Sequence, residues 1–159
     1  MKPAFGGERF RFLYRQGEGV IDRRAWRRAV WPPVAIALVA TLVWLLVAPR
    51  QMRDLAREGL IDLRVAAAYV YLIVYAFVLL LCAVAEYFVS AKRFADRGQP
   101  PALAGLAPFA LFLAAAAHWY QPRSEGLMPA WLAFVFDAAA LAAVMWTIAD
   151  LGFAESARR

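Results

Sequence analysis

The sequence predicts an all-α polytopic membrane protein: a four-helix transmembrane bundle with an interfacial N-terminal segment and an amphipathic helix between spans one and two. Three observations predict it. Apolar residues make up 64% of the 159 residues and charged residues 19%, with a mean hydropathy of +0.54; soluble domains run at about 45–50% and about 25%. The apolar residues fall in four continuous blocks, each long enough to cross about 30 Å of hydrocarbon. Lys and Arg collect between the blocks and in unequal numbers on alternate sides. The same composition excludes a disordered chain, and a single cysteine, Cys82, excludes a disulfide-stapled domain.

The chain opens with thirty polar and aromatic residues, too many for the short charged start of a cleavable signal peptide, so span one is expected to act as an uncleaved anchor. Phe10, Phe12, Leu13 and Tyr14 alternate here with Arg11 and Arg15. Asp22 is placed to cap a short helix through Arg23, Arg24, Ala25, Trp26, Arg27 and Arg28. Aromatics and arginines together suit headgroup depth, so this segment is expected to anchor on the membrane surface.

Span one covers 31–48, with Pro32 and Pro33 in its first turn, where amides lack helical acceptors. Residues 52–63 follow with Met52, Leu55, Ala56, Gly59, Leu60 and Leu63 on one face and Arg53, Asp54, Arg57, Glu58 and Asp62 on the other. That spacing predicts an amphipathic helix, serving as a docking surface or as a cover over the bundle end. Span two covers 65–91 and is longer than the bilayer core requires, so it tilts or projects. Spans three and four cover 102–120 and 128–151. Short connections make them antiparallel neighbours. The pairs Ala110/Ala114 and Ala139/Ala143 have the small-residue spacing that suits helix contacts. The six tryptophans fall mostly near span ends, as an aromatic belt.

Orientation follows from the basic residues. Thirteen lie in the N-terminal stretch, the 2–3 loop (Lys92, Arg93, Arg97) and the C-terminal tail, against five on the other side (Arg50, Arg53, Arg57, Arg64, Arg123). The positive-inside rule then puts both termini in the cytoplasm. The basic excess reads as topology rather than as a nucleic-acid footprint.

Few residues carry chemistry. Asp137 lies well inside span four, where an aspartate costs about 2.5–3.5 kcal/mol on insertion scales, so it should face protein or water. Its candidate partners are Tyr69, Tyr71, Tyr75, Thr41 and His118, and it serves either as a proton or cation relay, as a bond to a partner subunit, or as interhelical glue. Glu86 lies near the cytoplasmic end of span two, within reach of Lys92 or Arg93, or in a wet vestibule. His118 closes span three, and one histidine makes neither a metal centre nor a haem site. Cys82 is flanked by apolar residues and reads as a small hydrophobe. No phosphate loop, HExxH, CxxC or nucleophile elbow occurs, so neither an enzyme nor a cofactor is expected.

Two cytoplasmic stretches carry a resemblance. They are Gly19-Val20-Ile21-Asp22-Arg23-Arg24-Ala25-Trp26 and Ala91-Lys92-Arg93-Phe94-Ala95-Asp96-Arg97-Gly98. Together they resemble the bacterial inner-membrane domain-of-unknown-function family 805, of YhaH-like proteins, which pairs a Gly-x-Ile-x-Arg-Arg opening with an Arg-Leu-His-Asp-Arg loop. The family's loop histidine is Ala95 here, Gln99-Pro100-Pro101 stands where a Ser-Gly-Trp is usual, and the family's polar tail is missing. The resemblance implies a four-span inner-membrane protein and supplies no reaction. It also implies that an activity resting on that histidine and tail is lost, leaving a reduced copy recruited as a structural subunit.

Three functions are carried forward. The first is an accessory or scaffolding subunit packed against other membrane subunits or against itself. The second is a small proton- or ion-coupled transport element centred on Asp137, with Glu86, His118 and Tyr75 beside it. The third is a protein that binds or modifies lipid headgroups through Arg23, Arg24, Trp26, Arg27, Arg28, Lys92, Arg93, Asp96 and Arg97.

Overall fold

A computed structural model describes residues 6–51 and 62–156, without the side chains of residues 6, 50 and 51. It is all-α, and among the described residues there is no strand. Five helices follow in order: α1 (Gly6–Tyr14), α2 (Arg23–Val47), α3 (Leu63–Asp96), α4 (Leu106–Tyr120) and α5 (Ala130–Phe153). Four helical segments are long and apolar enough to cross a membrane: α2, α3, Pro101–Arg123 around α4, and α5. The amphipathic helix expected over residues 52–63 lies outside the described residues up to 61, and Leu63 already belongs to α3.

Asp22 does cap a helix, its Oδ1 accepting the Ala25 amide at 2.6 Å. That helix is not the short one expected, nor do the prolines fall in its first turn. α2 runs unbroken for 25 residues with Pro32 and Pro33 inside it. A proline has no amide to give the carbonyl four residues back. For Pro33 that carbonyl is Ala29, and the Tyr14 hydroxyl donates to it instead, at 2.8 Å. At Pro33 a side chain from α1 thus replaces the missing donor.

α3 spans 34 residues, about 51 Å at 1.5 Å per residue. It continues past the expected end of span two, so Lys92, Arg93 and Asp96 form its last turns rather than a loop. Gly98 ends it. The Gln99 amide donates to the Phe94 carbonyl at 2.9 Å while Gly98 sits at φ 70°, a left-handed cap that favours glycine.

The chain divides into two compact units, residues 1–30 with 85–159, and residues 31–84. The first has a core of Ile21, Trp26, Ala29, Val89, Ala91, Phe94, Ala104 and Leu151, with Phe12, Leu13 and Tyr14 packed on it. The Phe94 ring stacks on Trp146 at 5.7 Å. In this unit α4 and α5 pack through small side chains. Ala107, Ala114 and Ala117 are buried on α4, and Ala133, Ala140 and Thr147 on α5. Of the expected pairs, Ala110/Ala114 lies on this seam, with Ala114 buried and Ala110 half-buried, whereas in Ala139/Ala143 only Ala143 shares the face of Ala140 and Thr147, and Ala139 is exposed. On α5 the seam repeats every seven residues, and on α4 it steps by seven and then three, both of which return a helix to the same face.

In the second unit, α2 and α3 are joined by aromatics and hydroxyls. Trp44 stacks on Tyr71 and Tyr75, with centroids 6.4 and 5.7 Å away. The Tyr71 hydroxyl donates to the Ala40 carbonyl at 2.8 Å. Thr41 donates to the Ala37 carbonyl, and its Oγ1 lies 3.1 Å from the Tyr75 hydroxyl.

Candidate functional site

Two polar groupings stand out in the first unit, and α5 carries a part of each. Asp137 and Asp150 are thirteen residues apart along it, about 20 Å.

At the Asp150 end, the last carbonyls of α5 have no amides to accept from, as at any helix terminus. Three arginines supply the donors. The Arg93 Nε donates to the Leu151 carbonyl at 3.2 Å and one of its terminal nitrogens to the Ala154 carbonyl at 2.6 Å. Its other terminal nitrogen bonds Asp96 and the Ser156 hydroxyl, which itself donates to Asp96. Arg97 pairs with Asp150 and donates to its carbonyl at 3.1 Å. Arg23, from the start of α2, donates to the Phe153 carbonyl at 3.1 Å. Cationic donors at a helix C-terminus also answer its dipole.

Lys92 is wholly buried beside this cluster. Its ammonium donates to the carbonyls of Leu13 at 3.2 Å, Phe88 at 3.1 Å and Gln16, which uses all three of its donors. The ring faces of Phe12 and Phe88 lie 5.3 and 5.7 Å away. Trp26 is buried too, its indole nitrogen donating to Ser90 at 3.1 Å.

These positions correct part of the sequence reading. Trp26, Lys92, Arg93 and Asp96 do not face headgroups; they are buried and bonded to protein. Asp96 chooses Arg93 over Lys92, and neither cation pairs with Glu86, Lys92 being bonded to backbone carbonyls and Arg93 to Asp96. Arg23, Arg24, Arg27 and Arg28 are exposed, as expected of surface contacts, and Arg97 is half-buried.

At the other grouping, His118 and Asp137 meet. The imidazole Nε2 lies 3.0 and 2.9 Å from the two carboxylate oxygens. Asp137 sits between the seam residues Ala133 and Ala140, and His118 one turn beyond Ala114, so the alanine packing brings the two together. Which of the two donates depends on the imidazole tautomer. The side chains stay 56% and 40% exposed, with Phe134 and Leu141 exposed beside them. Sequence reasoning placed His118 among Asp137's partners, and it is the one found. Tyr75 bonds Thr41. Beyond the pair, Arg123 caps α4, donating to the Trp119 carbonyl at 2.6 Å with its guanidinium 4.6 Å from the Trp119 ring centre.

Among the described residues no group of three His, Cys, Asp or Glu is placed to hold a metal ion. Comparison with protein-family models, with curated proteins and with solved structures finds no match.

Four contributors escaped the sequence reading. Tyr14, Ser90 and Ser156 act through hydroxyls that carry no sequence signal. Asp150 had one: a carboxylate in the last turn of a helix opposes the dipole and calls for a cation.

Proposed function

We propose that the chain is a non-catalytic accessory subunit of a bacterial inner-membrane assembly, with both termini cytoplasmic, and that the His118–Asp137 pair is its intramembrane contact with another subunit. The observation that carries this is the pair's exposure on two apolar spans. An ionisable pair facing acyl chains is costly, so it calls for a protein or water neighbour. The exposed apolar side chains of Phe134 and Leu141 beside the pair suit an apolar helix as that neighbour. The topology is supported by the meeting of Arg23, Arg93 and Arg97 at the end of α5, which puts much of the basic excess at one end of the first unit. The motif-like residues of the family-805 resemblance gather there as well, which gives them a structural reason to occur together.

The test is affinity purification of the full chain in mild detergent after membrane crosslinking. The expected result is a second membrane polypeptide crosslinked to α4 or α5, and its loss in Asp137→Leu. Recovery of the lone polypeptide under both conditions would end this reading.

A second reading rests on the same pair. Imidazole and carboxylate sharing one proton at this position form a unit that can pass a proton. Proton flux into vesicles holding the purified chain, abolished by Asp137→Asn, favours it over the subunit reading. Equal flux in wild type and variant removes it.

A further inference from the structure

We propose that the open cleft beside the start of α2 and the end of α5 binds the headgroup of a zwitterionic aminophospholipid, phosphate on Arg23 and Arg24 and ammonium on Glu155 and Asp22. This goes beyond the subunit reading and does not depend on it. The cleft has a volume of about 280 Å³, and Asp22, Arg23, Arg24, Arg93, Glu155 and Ser156 line it.

The cations differ in what they have left to give. Arg93 forms the floor, is wholly buried, and is neutralised by Asp96. Arg23 is exposed and uses one terminal nitrogen on the Phe153 carbonyl, which fixes its fork and leaves its other terminal nitrogen to donate. Arg24 is exposed and has no hydrogen-bond or ion-pair partner among the described residues. Two guanidinium forks on adjacent residues match a phosphate diester, whose oxygens accept paired N–H donors.

The acids exclude a plain anion site. Glu155 and Asp22 are exposed on the same cleft, so a purely anionic headgroup would meet two like charges beside the two arginines. A headgroup carrying a primary ammonium a few bonds from its phosphate matches both signs. Depth agrees. Arg23 precedes Val30, where the apolar run opens, by seven residues, about 10 Å of helix, and an arginine side chain can extend back toward the headgroup layer.

The experiment uses the purified full chain in detergent, exchanged into an equimolar mixture of phosphatidylethanolamine, phosphatidylcholine and phosphatidylglycerol. Lipid retained after washing is quantified by native mass spectrometry. Wild type is expected to enrich phosphatidylethanolamine. Arg24→Gln should lower its retention by about tenfold, the size of one lost charge-assisted bond. Glu155→Gln should bring phosphatidylethanolamine down to the phosphatidylcholine level and leave phosphatidylcholine unchanged. Both positions are exposed, so the fold is retained, and an unchanged unfolding temperature verifies it. Retention in the proportions supplied, preference for phosphatidylglycerol, or an Arg24→Gln profile equal to wild type would each overturn the proposal. Excess inorganic phosphate and phosphoethanolamine should not displace the lipid. If either does, the ligand is a soluble phosphate and the lipid assignment fails.

Discussion

The Tyr14 hydroxyl donates to the Ala29 carbonyl, the acceptor that Pro33 leaves without an amide. A helix that would otherwise carry an orphan acceptor inside a buried seam is completed from outside. Ala29 is 3% exposed, so water does not substitute.

Tyr14→Phe therefore leaves a buried carbonyl unpaired, at a cost of about 1–3 kcal/mol. Pro33→Ala restores an amide to the same oxygen. In the Pro33→Ala background, Tyr14→Phe should cost clearly less. The measurement is a double-mutant cycle from unfolding in detergent, and strict additivity would refute the pairing.

The same phenol gives a pH dependence. Burial pushes Tyr14 above the usual tyrosine range, and Arg9 offsets this only in part. The folded chain thus holds the proton more tightly than the unfolded one. The resulting stability is full below the unfolded value of about 10 and is lost as pH rises through the higher folded value. Alkaline unfolding curves should show this loss in wild type and lack it in Tyr14→Phe.

Arg93→Ala removes four donors at once and leaves Asp96 with only Ser156. Breaking a buried pair costs about 3–5 kcal/mol, enough to collapse the yield of folded protein. Arg93→Lys should rescue poorly, because one ammonium lacks the fork that reaches Leu151, Ala154 and Asp96 together. Thermal unfolding of the three forms decides this.

Lys92→Met keeps the bulk and removes the donors that hold Leu13 and Gln16. Limited trypsin digestion should then cut at Arg9, Arg11 and Arg15 faster than in wild type, while α5 stays protected. Equal rates would mean that α1 is held by its aromatics alone.

Asp137→Asn preserves a hydrogen bond to His118 and should shift stability of the isolated chain by less than about 1 kcal/mol, because both side chains are substantially exposed. An unfolding shift well above that would place the pair in the fold's own stability rather than at a contact.

Class and span placement were legible because they depend on summed hydrophobicity, which a sequence displays directly. Single residues were legible where a cost forced the reading, as for Asp137 and its histidine. Lys92 and Arg93 were read in the wrong place. A basic residue beside a span looks the same whether it faces phosphate or a helix's last carbonyls, and only three-dimensional proximity separates Arg93 from Arg24. The prolines were misread because a distant hydroxyl changed their cost, and nothing near Pro33 in the sequence announces Tyr14. The alanine seam was legible on α4, where Ala114 is buried, and off by one position on α5, where Ala140 rather than Ala139 is buried, because many alanines offer many registers.

The guanidinium clamp on α5 has a consequence for biogenesis. Arg23, Arg93 and Arg97 are synthesised before the helix whose carbonyls they hold. A nascent chain that has threaded α2 to α4 but not α5 leaves those three donors without these acceptors at the membrane edge. Completion of the last span supplies those acceptors together, so the contacts that tie α2 and α3 to the end of α5 form only after the final helix has been made.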